Sequence, residues 1–184
     1  MLGRFRAVPL LLLGLGLVQH GVAWADDPVT LRDDRVEYPL GLHLEILEDP
    51  KATWTIDDVS SPPLSERFER SRREIPNLGL TRSAFWVRFR LDDRTSASRD
   101  WLLNVDWPRT GLIQFYSPRA AGGWSVERAG ELLPHDEWAL PYRKPTFHVA
   151  LEPGESRTYY ARFEGETTML FPLTLWSAPA FEAE

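Results

Sequence analysis

Residues 83–91 read SAFWVRFRL, and every second one of them, Phe85, Val87, Phe89 and Leu91, is strongly apolar. Side chains alternate across a strand, so these four share one face, while Trp86, Arg88 and Arg90 share the other. The stretch is a strand with one face on a core. Its second face carries an indole and two guanidinium groups, which either lie in solvent or hold a ligand.

The chain on either side repeats this pattern. WLLNVDW (101–107), LIQFYS (112–117), WSVERA (124–129), FHVAL (147–151), RTYYARFEG (157–165) and TMLFPLTLWS (168–177) are separated by the polar turns DDRTSASRD, PRTG, RAAGG and EPGES. Short strands with turn signals about every 8–12 residues mark an all-β sandwich or barrel. Upstream, PLGLHLEIL offers Leu42, Leu44 and Ile46 as a first strand, and Thr55 with Asp58 is a capping-box signal for one short helical turn. SPPLSERF then returns to extended structure after Pro62 and Pro63. The expected fold is all-β, a jelly-roll β-sandwich of about eight or nine strands with that one helical turn. Pro172 within FPLTL places the last strand at a sheet edge or gives it a bulge, because proline cannot donate to a central ladder.

The first 25 residues stand apart. Arg4 and Arg6, then the apolar run Val8 to Val18, then Ala23-Trp24-Ala25 have the layout of a secretory signal peptide, with cleavage expected before Asp26. Residues 26–35 form a charged lead-in, and residues 36–182 the sandwich. Removing the leader takes the 21 basic residues to 19 against 27 acidic ones, a net charge near −8. An acidic exported domain is a poor partner for nucleic acid or anionic lipid. With no cysteine it has neither disulfides nor thiolate chemistry, so stability rests on the core.

Catalytic signatures are missing. His135-Asp136-Glu137 places an imidazole beside carboxylates without a positioned nucleophile, and there is no HExxH, GxSxG, P-loop or dinucleotide fingerprint. The chain is therefore read as a non-enzyme needing no cofactor. Glu48-Asp49 and Asp57-Asp58 offer oxygen ligands for calcium, but their spacing matches no EF-hand loop and they read as solvated turns. The aromatics are more telling, with eight tryptophans and five tyrosines. Trp101 and Trp107 share the phase of Leu103 and Val105 and belong to the core. Trp86 and Tyr160 are out of phase with their apolar neighbours, and each precedes an arginine by two positions, Arg88 and Arg162. An aromatic face beside an arginine fork suits a small polar or anionic ligand, or a glycan. The expected site is Trp86, Arg88, Arg90, Tyr160 and Arg162, closed over by the loop carrying Trp138, Tyr142 and Arg143. The plain alternative is a wet face, with arginine stems covering tryptophan and pairing with Glu164 or Asp106.

NLGLTRSAFWVRFRL, WLLNVDWP, LIQFY, GELLP, the Pro141-Tyr142-Arg143 loop, FHVALEPGESRTYYARF and FPLTLW come in an order that resembles a known family. It is the periplasmic sensor domain, second extracellular type, of bacterial seven-transmembrane receptors with diverse intracellular signalling modules (7TMR-DISM). The resemblance covers most of residues 36–182, including the EDP and TIDDV elements. It implies a jelly roll similar to carbohydrate-binding modules, held outside the inner membrane ahead of seven membrane helices and a cytoplasmic output domain. The family's Trp-x-Arg motif falls on Trp86 and Arg88, and its later strand arginine on Arg162. Where the family often has Arg-Pro after GELLP, this chain has Trp138-Ala139. The resulting expectation is a periplasmic ligand-sensing domain of a membrane receptor, able to form a homodimer. Two alternatives remain open: a free-standing secreted carbohydrate-binding module, and a protein-interaction domain using exposed sheet edges or an apolar patch.

Overall fold

A computed structural model describes residues 28–184; the expected signal peptide lies outside them. The strands of the N-terminal half are β1 (Val29–Leu31), β2 (Glu37–Pro39), β3 (Glu45–Asp49), β4 (Glu69–Arg70), β5 (Asn77–Leu80), β6 (Ala84–Asp93) and β7 (Trp101–Val105). Those of the C-terminal half are β8 (Leu112–Pro118), β9 (Trp124–Ala129), β10 (Thr146–Val149), β11 (Ser156–Glu164), β12 (Thr168–Leu170) and β13 (Leu173–Ser177). They form a sandwich of one large sheet, ordered β4-β3-β6-β11-β8-β9 with β1 parallel alongside β6, against a four-stranded sheet, β10-β7-β13-β2. A two-stranded sheet, β12-β5, stands beside them.

The alternation of residues 85–91 decides the packing. Phe85, Val87, Phe89 and Leu91 are all buried and join Leu103, Val105, Leu173 and Leu175 of the facing sheet in one core. Full burial of side chains this size is worth about 1.5–3 kcal/mol each. At its centre Phe89 stacks on Tyr159 and Phe115, with ring centroids 5.7 and 6.5 Å away. Trp101 is buried in the same core, and Trp107 packs half-buried against it.

Five local expectations are corrected. The thirteen strands among the described residues exceed the eight or nine expected, because segments of two to four residues at sheet margins carry no readable alternation. The helical turn at Ile56–Val59 (α1) has the expected capping box between Thr55 and Asp58, but Ala178–Phe181 (α2) adds a second turn and three 3-10 turns accompany them. One of these, Leu64–Arg67, replaces the extended structure expected after the prolines. Another, Gly41–His43, interrupts the first strand and turns Leu42 outward. Glycine is required there, since a Cβ on Gly41 would meet the Glu74 carbonyl oxygen at 1.7 Å. Finally, β13 is an inner strand between β7 and β2 rather than an edge. Pro172 lies just before it, where the chain leaves the β12 ladder and changes sheet, so no ladder bond is lost.

Candidate functional site

The outer face of the large sheet is built in rows by strand register. One row runs Glu45, Arg88, Tyr160, Tyr116, Val126, and the next runs Leu47, Trp86, Arg162, Gln114, Arg128. Trp86, Arg88, Tyr160 and Arg162, read from the sequence as one group, do share this face, and all four are buried. They lie beneath the excursion between β3 and β4. Val59 and Phe68 from that segment, with half-buried Trp54, Ile56 and Leu64, close on Leu47, Trp86, Tyr116 and Tyr160 as a second apolar cluster.

The excursion is fastened by the two buried arginines. Arg88 donates through Nε to Glu45 Oε2 at 2.6 Å and through Nη1 to the Ser65 carbonyl at 2.8 Å, and its guanidinium sits 4.2 Å over the Phe68 ring. Arg162 donates to the Ala52 carbonyl at 3.1 Å and to Gln114 Oε1 at 3.3 Å, and it also pairs with Glu164. Ala52 adopts a left-handed conformation with φ of 53°, in a loop where Asp49 Oδ2 accepts the Trp54 N–H at 2.9 Å. Thr55 then caps α1, and its N–H and hydroxyl hold the Asp58 carboxyl below its ordinary pKa. Burial pushes the phenols of Tyr160 and Tyr116 up, against the opposing pull of Arg88 and Arg162 respectively.

The cover over Trp86 is thus residues 50–68, not the loop holding Trp138, Tyr142 and Arg143. That loop lies elsewhere. Trp138 packs half-buried against the main core and donates to the Gly130 carbonyl at 3.1 Å. Tyr142 meets Phe181 edge-on at 5.1 Å, and with Arg143, Asn104 and Trp176 it lines a recess of about 640 Å³ on the outer face of the small sheet. Seven of the eight expected site residues therefore divide between the two outer faces of the sandwich, and Trp138 lies on neither. A loop's docking position leaves no periodic trace in sequence.

Beside the cover, the large-sheet face opens into a recess of about 480 Å³ lined by Trp124, Tyr160, Thr158, Ser156, Arg119 and Ser60, among others. Trp124 stands edge-on to Tyr160 at 5.3 Å. Exposed Arg90 lies opposite Thr158 in register and donates to Ser156 Oγ at 2.9 Å. Arg157 at the rim is tied to Glu155 at 2.7 Å. A half-buried indole over a buried tyrosine, with hydroxyls and guanidinium groups at one concavity, suits a polyhydroxylated or carboxylated ligand. Trp124, Arg119 and Ser60 escaped the sequence reading. In WSVERA the apolar Trp124 and Val126 point outward and Ser125 and Glu127 inward, the reverse of the core rule, as an edge strand permits.

Among the described residues no three His, Asp or Glu side chains converge as a metal site, and no helix is long and apolar enough to cross a membrane. A family model described as 7TMR-DISM extracellular 2 matches residues 41–177. No curated protein matches the chain. Among solved structures it is similar to "Structure of TmCBM61 in complex with beta-1,4-galactotriose at 1.4 A resolution", with 11% identity over 74% of this chain and 91% of that one, at a TM-score of 0.38.

Proposed function

The chain belongs to the 7TMR-DISM extracellular 2 family, and on that premise we propose that it is the periplasmic ligand-sensing domain of a bacterial membrane receptor, without catalytic activity of its own. The observation that carries this reading is the recess at Trp124, Tyr160, Thr158 and Arg119, whose wall includes Ser60 at the C-cap of α1. The ligand is a small glycan or a polar, carboxylate-bearing molecule. It lies against Trp124 and Tyr160, with Arg90 and Arg119 supplying donors. Trp86, Arg88 and Arg162 act from beneath, by fixing the cover that forms one side of the site. A ligand touching both the sheet and the cover biases the cover's position, and membrane segments attached to the domain carry that bias inward.

The test is thermal shift followed by calorimetry, with neutral galacto-oligosaccharides, uronic acids and amino acids as probes. A ligand that binds only the folded state at about 100 times its Kd stabilises it by about 2.7 kcal/mol. Trp124→Ala and Arg119→Ala are each expected to weaken binding of the active probe at least tenfold; exposed Arg119→Ala leaves the unliganded melting temperature nearly unchanged, whereas Trp124→Ala also lowers it, because the indole packs on Tyr160. Full affinity in both variants would overturn the assignment of the site. No shift with any probe class would overturn the ligand chemistry.

A further inference from the structure

The opposite outer face of the sandwich, on the small sheet, carries a recess of different chemistry. Leu103 and Val105 point into the core, so Asn104 between them points outward. Register sets Asn104 beside Thr174 and Trp176 beside Glu37, which lays these four side chains across β7, β13 and β2 on one face. All four line the recess of about 640 Å³, together with Tyr142 and Phe181. The Phe181 ring stands 5.1 Å from that of Tyr142 and 6.5 Å from that of Trp176, so three half-buried rings gather there.

Asn104 is 5% exposed, and its neighbours orient its amide. The Thr146 hydroxyl donates to the Lys144 carbonyl at 3.0 Å, and so it accepts from Asn104 Nδ2, at 3.1 Å. That leaves the amide oxygen to the recess, with no partner among the described residues. A buried acceptor without a donor is rare and costly, and a ligand N–H would satisfy it. The carboxylates of Glu37, Glu182 and Glu184 also line the recess and form no ion pair among the described residues. Of the cations there, Lys144 is taken up by Asp106 at 2.7 Å, so Arg143 alone stands against those three acids.

We propose that this recess binds a short linear diamine in its doubly protonated form. One ammonium group donates to Asn104 Oδ1 and the Thr174 hydroxyl, and the other to Glu37. The methylenes between them lie on Trp176, beside Phe181 and Tyr142, where aromatic faces favour a cation. β13 separates β7 from β2, so the two acceptor stations start about 10 Å apart across the sheet. Side chains reaching inward shorten that to what a spacer of about four carbons covers. A single ammonium group cannot serve both stations, and an anion meets the surplus carboxylates. This site lies on the other sheet from the recess at Trp124 and prefers the opposite charge.

Calorimetric titration of the full chain with putrescine, butylamine and butanoate, near neutral pH, tests this. Putrescine is expected to bind with a Kd of about 0.1–1 mM, butylamine at least about tenfold more weakly, and butanoate not at all up to about 10 mM. Glu37→Gln and Phe181→Ala should each weaken putrescine binding at least about fivefold, while Trp124→Ala, at the other recess, should leave it unchanged. Glu37 is exposed and Phe181 lies in the short α2 turn, and near-ultraviolet circular dichroism checks that each variant is folded. No putrescine binding below about 10 mM, equal affinity for butylamine, or full affinity in both Glu37→Gln and Phe181→Ala would each overturn the proposal. Loss of putrescine binding in folded Trp124→Ala would also overturn it, by moving the diamine to the other sheet.

Discussion

Arg88 and Arg162 each bring a buried guanidinium to a backbone carbonyl of the same excursion, Ser65 for one and Ala52 for the other. Each also has a carboxylate at hand, Glu45 and Glu164. A lysine in either place would offer a point charge in place of a planar fork, and would lose one of these two contacts. Arg88 is the more enclosed, with its side chain 5% exposed and that of Glu45 16%. Arg88→Ala leaves Glu45 without its partner and the Ser65 carbonyl without its donor. The expected loss is about 3 kcal/mol of unfolding free energy, measured as a lower urea midpoint with unchanged slope. At this scale the sequence was half legible: alternation placed Trp86, Arg88, Tyr160 and Arg162 on one face, but alternation counts residues and carries no information on what covers that face.

The excursion over residues 50–68 is the element on which the face depends. It is short of regular structure, so its shape comes from local chemistry: the Asp49 carboxylate accepting the Trp54 N–H, the left-handed Ala52, and the Thr55–Asp58 capping box. Two residues at the start of this excursion respond to substitution in opposite directions. Ala52→Gly removes a side chain from a left-handed residue, a strain of about 1–2 kcal/mol, and gives back part of that as unfolded-state entropy, so a net gain of up to about 1 kcal/mol is expected. Thr55→Ala removes the cap and loses about 1 kcal/mol. Calorimetry of the two variants checks both signs. The capping box was legible in Thr55 and Asp58. The 3-10 turn at Leu64–Arg67 was not, because its hold on the sheet runs through Arg88, a residue distant in sequence that no local propensity registers.

Across the whole molecule the interior holds ionisable groups whose charged form it disfavours. Burial pushes the phenol of Tyr159 far above the ordinary tyrosine value, and those of Tyr160 and Tyr116 upward as well. A folded pKa raised above the unfolded one, near 10, contributes stability that is complete below that pH and is lost as pH rises beyond it. The fold is therefore expected to hold through neutral pH and to fail under alkali above about pH 10. Tyrosine ionisation at 295 nm should rise together with loss of near-ultraviolet dichroism, and a gradual rise without unfolding would contradict it. The sandwich itself was written in the chain: the alternation of Phe85, Val87, Phe89 and Leu91 and the turns between strands follow from backbone geometry, which acts over neighbouring residues. Tertiary structure alone decided that Pro172 precedes an inner strand, that residues 50–68 cover Trp86 while Tyr142 and Arg143 belong to the opposite sheet, and that Trp124 with Tyr160 frames the open recess. Those outcomes depend on which segments, far apart in sequence, compete to bury the same apolar surface, and that competition is settled only when the two sheets meet.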